Sequence, residues 1–507
     1  MLFDFLKRGT KAKPDTPRHG RGNEDNFVRS FGAAAVDNML QPWVWDGGFS
    51  NTEISAQLAI IRARSRDMAK NSAHYKRFLD LFVANVVGEG FSFKSLAAKS
   101  RTDFDVNEAA ARLIENHWWR WATSPAKCDT TGRKSLAAIL QLCAENWARD
   151  GEYFIHLDRA AQNIYGLSLR VIRPDACDEL VSGEYGGSHI VNGVEVDPAT
   201  LKPTGYWFNA EREDPFALRI GRRARVRVPA RDIIHGFTQH DECQTRGVPL
   251  GYAVLAKLKM LDEYDRSELA AARDEANTIG AFHAPAGRDG EVGEWTTEGK
   301  QAVRTMESKP GQKLILPQGW DYNSHTPQHP NREVTAFKNS MLRDVASGLS
   351  LEYACFANDW AGVSYSSVRQ GTIAERDMWQ MRQAQFVEQC LDRIFAAWLE
   401  SFLSLAASGN LNAADFDFLY DHEFRGRRWA WVDPMKDVQA SAIAVANGWK
   451  TDAQIAADFG SDIGDNLSEQ ARVAALRKKL GLATETVASS GVPITTEGKE
   501  TTDNEEA

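Results

Sequence analysis

The sequence predicts an α+β protein, mostly helical, built from more than one packed region. Three observations carry this. At 507 residues the chain exceeds the roughly 250–300 residues at which a single hydrophobic core stops growing. Apolar residues recur at the 3.6-residue period over several long stretches, whereas short β-type runs gather between residues 153 and 237. The hydrophobic share of 43% and charged share of 25% are those of a globular chain, which excludes a fibrous repeat and global disorder.

Residues 1–52 read as an N-terminal arm, rich in Gly, Asn, Pro and basic residues, that docks through Trp43, Trp45 and Phe49. A helical stripe follows through Ile54, Leu58 and Ile61, continues through Tyr75, Phe78, Leu79, Phe82, Val83 and Val86, and stops at Gly88 and Gly90. Arg62, Arg64, Arg66, Lys70, Lys76 and Arg77 read as the solvated face of that helix. Helices are expected over about 106–122 and 135–149. Strands are expected at 153–157, 167–172, 205–208, 225–228 and 233–237.

A long helix is expected over 248–278, marked by Leu255, Leu258, Leu261, Tyr264 and Leu269. Gly and Pro break up residues 279–330, with a strand candidate at Lys313–Leu316. Residues 331–350 return to helix. Val334, Phe337, Met341, Val345 and Leu349 share one stripe, with Arg332, Asn339, Ser340, Arg343 and Ser347 opposite. The break at 351–365 holds Asn358, Asp359, Trp360, Ala361, Gly362 and Val363, a segment free of Lys and Arg with a flexible point at Gly362. A very long helix covers 366–407, and three more fill about 434–481. The stretch 483–507 has six acidic residues and no aromatic one, and reads as disordered.

The chemistry legible in the chain is mostly negative. A formal charge of −9, from 60 basic and 69 acidic side chains, argues against a surface that grips nucleic acid throughout. No apolar run approaches the roughly 20 residues of a membrane span, and the first residues lack a secretory layout, so a soluble protein made in a cytosol is expected. Six widely spaced cysteines without a C-x-x-C pair read as reduced, buried thiols. There is no phosphate-binding loop, no dinucleotide fingerprint after a strand and no nucleophile elbow. His235 and His240 read as hydrogen-bonded structural residues. No catalytic residue, metal or cofactor is expected. Plentiful carboxylates leave a metal-dependent DNA-processing enzyme as an alternative, and a helical adaptor as another.

Two features remain. The basic run Arg219, Arg222, Arg223, Arg225, Arg227 and Arg231 is either a solvated strand face or a contact with a partner or the DNA backbone, and charge reversal at Arg222, Arg223 and Arg225 is expected to disturb assembly or partner docking rather than folding. Fifteen tryptophans suggest a large oligomer contact.

Three ordered segments carry a resemblance. They are Arg62-Ala63-Arg64-Ser65-Arg66-Asp67 with Asn85-Val86-Val87-Gly88-Glu89-Gly90; Gln244-Thr245-Arg246-Gly247-Val248-Pro249 leading to Met260-Leu261-Asp262; and Ala346-Ser347-Gly348-Leu349-Ser350-Leu351-Glu352 with Tyr365-Ser366-Ser367-Val368-Arg369. Asp150-Gly151-Glu152 and Val228–His235 add to them. Over roughly 53–480 the chain resembles the portal proteins of lambda-type tailed bacteriophages, departing at Gly348-Leu349-Ser350-Leu351-Glu352, where relatives read G-V-S-Y-E.

The resemblance implies a portal fold with wing, stem helices, clip and crown, in a ring of about twelve subunits at one capsid vertex. The wing would be 53–247, the stem parts of 248–278 and 331–350, the clip 279–330, the tunnel loop 351–365 and the crown 408–482, with the helix 366–407 before it. Asn358–Val363 would line the DNA channel, as would Arg332, Asn339, Arg343 and Ser347, with Arg222, Arg223, Arg225 and Arg227 as a partner contact. The implied partners are further copies of the chain, the terminase large subunit, a head–tail adaptor, major capsid and scaffold proteins, and double-stranded DNA that passes without sequence-specific contact. The implied location is the virion, after assembly in the host cytoplasm. Net acidity suits a conduit: twelve copies would carry about −108, and a bore that repels phosphates does not hold them.

Overall fold

A computed structural model describes residues 50–209, 225–277, 280–283, 294–298, 301–305, 321–324, 332–361, 363–405, 408–409, 411–429, 434–461 and 463–480. All belong to the unit that starts at Ser50. The arm through residue 49, the strand expected at Lys313–Leu316 and most of the 279–330 stretch, Arg222, Arg223, Gly362 and the acidic 483–507 segment lie outside the described residues.

The first helical stripe is two helices, α1 (Ser50–Asn71) and α2 (Ala73–Val86). Ser72 separates them: its backbone is extended and its hydroxyl accepts from the Tyr75 amide, an N-cap that starts a new helix. The buried stripe of α1 is Leu58, Arg62, Ser65 and Met68, so Arg62 lies on the inner face and not in solvent. Strand β1 (Ser92–Ser95) is followed by α3 (Glu108–Ala122) and α4 (Leu136–Asp150), capped by the side chains of Asn107 and Ser135. Gly151 ends α4 at φ +91, where a Cβ would come within 2.2 Å of the Val248 carbonyl carbon. Only glycine fits there.

Strands β2 (Glu152–Asp158), β3 (Ser168–Ile172) and β9 (Ile233–Phe237) form one antiparallel sheet, ordered β3-β2-β9. β2 is buried on both faces. Tyr153, Ile155 and Leu157 join the main core with α2, α3 and α4, while Phe154 joins a smaller core with Ile172, Val194, Tyr206, Phe208 and Ile233. That second core sits under an antiparallel meander of β4 (Gly183–Tyr185), β5 (Ser188–Val191), β6 (Val194–Val196), β7 (Pro203–Asn209) and β8 (Arg225–Pro229). The first three of these strands escape the sequence reading. Their signals were the dipeptides Gly186-Gly187 and Asn192-Gly193, all four residues at positive φ, as tight hairpin turns require.

Helix α5 (Leu255–Asn277) starts later than the apolar pattern suggests, because turns fill 249–254. It runs antiparallel to α6 (Arg332–Gly348): Lys257 pairs with Asp344, Lys338 with Asp265 at 2.5 Å, and the Tyr264 and Phe337 rings lie 5.4 Å apart. Between them, β10 (Gly280–His283) pairs with β13 (Asp321–Ser324) and β11 (Glu294–Glu298) with β12 (Gln301–Thr305). After the short α7 (Tyr353–Ala357), the long expected helix splits into α8 (Tyr365–Phe386) and α9 (Asp392–Leu403) around a π-helical turn at Val387–Leu391. The turn aims Gln389 at the end of β9, where its amide accepts from the Phe237 N–H and donates to the Phe237 carbonyl, each at 3.1 Å.

Aromatic packing ties α9 to α3. Trp118 lies 5.3 Å from Trp398 and 5.6 Å from Phe395, and Phe93 of β1 joins them. Trp118, Trp121, Trp147, Trp379 and Trp398 are all buried, whereas Trp119, Trp360 and Trp449 are exposed. Tryptophan in the described residues therefore builds the core more than it builds a surface for partners. Strand β14 (His422–Arg425) pairs with β1 across more than 300 residues of chain. Helices α10 (Pro434–Ala446), α11 (Asp452–Asp458) and α12 (Ile463–Lys479) follow, and Ala456 is the one buried residue among those described there.

Candidate functional site

The break between α6 and α8 is an ordered turn. Leu349 and Leu351 are buried, and Ser350 between them takes a left-handed conformation at φ 56. Glu352 caps α7 by accepting from the Cys355 amide at 2.8 Å, and Asn358 closes it in the left-handed region that asparagine tolerates. Asp359 accepts from the Tyr353 hydroxyl at 2.8 Å and from the Ala361 amide at 3.1 Å. The Tyr353 hydrogen bond holds the Asp359 carboxyl below its usual range, while burial and Asp359 push the Tyr353 hydroxyl up to about 12. Trp360 stands 51% exposed, its indole N–H donating to Asn358 at 3.3 Å. From the other side Glu375 of α8 accepts from the Glu352 amide and from Trp379.

The stem candidates fall on one face of α6. Arg343 is exposed, with its guanidinium 4.9 Å from the centre of the Tyr353 ring. Ser347 is exposed with its hydroxyl donating to the Arg343 carbonyl, and Asn339 is half-buried. For Arg332 only the backbone, the first residue of α6, is described. Asp359, Trp360, Arg343 and Tyr353 thus form one connected group at the end of a helix. Val363 follows it, and Gly362 lies outside the described residues.

The basic cluster is not brought together in the same way. Arg225 donates to Asp178 at 3.0 Å, and that carboxylate is fully buried. Arg227 grips Glu195 with two hydrogen bonds at 2.7 and 2.9 Å. Both arginines therefore hold carboxylates of the meander and its approach, Arg225 while still exposed and Arg227 half-buried. Arg222 and Arg223 lie outside the described residues.

One constellation escaped sequence reasoning. Glu152, fully buried, accepts from Arg62 at 2.5 Å, from Arg246 at 2.6 Å, from the Gly247 amide at 2.9 Å, and pairs with His235 at 3.0 Å. Burial opposes its charge, but Arg246 and Arg62 outweigh that and hold the carboxyl well below its usual range. Burial lowers His235, with Arg246 and Arg393 adding to the effect against the pull of Glu152. Arg66 extends the network to Asp150 at 2.7 Å and to Asp175. The available signal was the run Leu58, Arg62, Ser65, Met68, which is a buried helical stripe once the arginine is allowed a buried partner. Among the described residues no group of three or more His, Cys, Asp and Glu side chains converges as metal ligands would, and no helix is long and apolar enough to cross a membrane.

Residues 37–383 match the family described as phage portal protein, lambda family. A probable portal protein of Halomonas phage phiHAP-1 is 27% identical, over 94% of this chain and 93% of that protein. Portal protein B of Escherichia phage lambda is 22% identical, over 83% and 84%. Among solved structures, a chain from the neck of an empty GTA particle aligns with a TM-score of 0.45 at 14% identity, covering 80% of this chain and 93% of that one. A match of this extent settles the family: the chain is a member of the lambda family of phage portal proteins.

Proposed function

We propose that copies of this chain close into a ring of about twelve members at one vertex of the capsid. Double-stranded DNA enters through the bore under the action of the terminase large subunit and later leaves toward the tail. The ring is assembled in the host cytoplasm with the major capsid and scaffold proteins, is carried in the virion, and receives a head–tail adaptor. The role is structural. The observation that carries this reading is the family match over 37–383. A ring needs a heterologous contact that closes on itself. The turn at 353–363 supports the channel assignment: it presents Asn358, Asp359 and Trp360 with no Lys or Arg, so it meets a polyanion without clamping it.

The test is imaging of the purified chain, with a deletion of 357–363 tested beside it in virus production. Closed rings from both proteins, with packaging or retention of DNA reduced in the deletion, are expected. A chain that stays monomeric at every concentration overturns the ring. Unimpaired virus yield from the deletion overturns the loop's role, and magnesium-dependent cleavage of plasmid DNA by the clean protein would favour a nuclease.

A further inference from the structure

A groove of about 1370 Å³ opens between α1, α2, α4, the end of β14 and the turn between α11 and α12. Eight Lys and Arg line it against four Asp and Glu, a balance of +4. Lys70, Arg173, Arg427 and Arg428 are exposed, whereas Arg66 and Arg149 are engaged with Asp150. Phe459, half exposed, adds an apolar surface at the same groove. The conduit reading uses none of this.

We propose that the groove receives residues 481–507 of this same protein, from its own copy or from a neighbour. That segment carries six acidic residues and one lysine, a balance of −5, opposite in sign to the groove and similar in size. Its order also fits. The apolar Val492-Pro493-Ile494 precedes Glu497, Glu500, Asp503, Glu505 and Glu506, as Phe459 adjoins the cations. Reach is sufficient. Gly460 lines the groove and α12 begins at Ile463. That helix of 17 residues spans about 25 Å, and 27 further residues extend to as much as about 90 Å. Asp80, Glu89 and Glu145 interleave with the cations. They repel the uniform charge of a DNA duplex, whereas a peptide with Lys499 among its acids matches a mixed lining.

Zero-length carbodiimide cross-linking of the full-length assembled protein, read by peptide mass spectrometry, tests this. Lys70 and Lys76 are expected to join the carboxylates of 497–506. The yield should fall about fivefold or more between about 50 and 500 mM NaCl, as the Debye length shrinks. Arg428→Glu should lower it similarly in a protein whose circular dichroism and melting are unchanged. Mixed rings of ¹⁵N-labelled and unlabelled chains assign each link to one copy or to two, and either assignment supports the proposal. Links from 497–506 spread evenly over lysines elsewhere would overturn it. So would protection of Lys70 and Lys76 from acetylation by a short DNA duplex but not by the segment.

Discussion

The guanidinium of Arg343 lies 4.9 Å from the centre of the Tyr353 ring, and the hydroxyl of that same tyrosine holds Asp359. Helix α6 and the turn that bears Trp360 are therefore linked through one side chain. The turn is thereby tied to the helix end by side-chain contacts and not by the backbone alone.

Tyr353→Phe keeps the ring under Arg343 and removes only the bond to Asp359. The cost to stability is expected to be about 0.5–1.5 kcal/mol, too little to prevent assembly. Limited proteolysis within 357–363 should quicken several-fold while cleavage elsewhere stays constant. An unchanged cleavage rate would show that the bond does not restrain the turn.

Glu152→Ala leaves Arg62 and Arg246 buried without their shared carboxylate. Breaking such a cluster costs about 3–5 kcal/mol, so soluble protein is expected to fall sharply and the denaturant midpoint with it. Replacement of Arg64, which is exposed on the same helix, should cost less than about 0.5 kcal/mol. Equal effects from the two substitutions would show that the cluster does not stabilise the fold.

Acid should weaken the fold in two stages. His235 and His74 both titrate below their unfolded value, chiefly through burial. Below about pH 6.5 the unfolded chain binds protons that they refuse, and stability declines. His235 faces Glu152, Arg246, Arg62 and Arg393, so a proton there adds a third cation around a single carboxylate. Glu152 is depressed, so its contribution is complete above about pH 4.3 and is lost below that. Glu375 and Asp262, raised by burial, act in the opposite sense and above their unfolded values, where the folded chain takes up protons before the unfolded one does. Denaturant midpoints from pH 7.5 to 5.5 should slope less in His235→Gln than in the parent, and parallel slopes would refute the assignment.

Arg225→Glu faces the fully buried Asp178 with a like charge. Arg225 itself is 41% exposed, which moderates the loss to about 1–3 kcal/mol. A lower melting temperature of the subunit is expected, in contrast to the docking defect that the sequence suggests. An unaltered melt with impaired partner binding would instead make Arg225 a partner contact.

The helices and the strands 153–157 and 233–237 were legible because their apolar periods are long or sharply bounded. Ser72 was harder, since an N-cap inside an unbroken apolar stripe changes the axis and not the pattern. Arg62 and Glu152 were hidden for a different reason: each is a charge that reads as surface until its partner, distant in the chain, is brought to it. The turn at 358–361 was located by its composition, but its anchoring by Tyr353 and Arg343 depends on where α6 ends. Arg225 and Arg227 looked like a free basic patch because Asp178 precedes the meander and Glu195 lies within it, 47 and 32 residues away in the chain.

Strand β1 meets β14 through the pairs Ser92–Arg425 and Ser95–His422, and Phe93 buries itself beside Phe424. An edge laid down early in synthesis thus waits for a segment made near its close. A nascent chain still short of residue 425 has that flank of the fold unfinished. Closure of this flank is thereby deferred until the ribosome has all but completed the polypeptide.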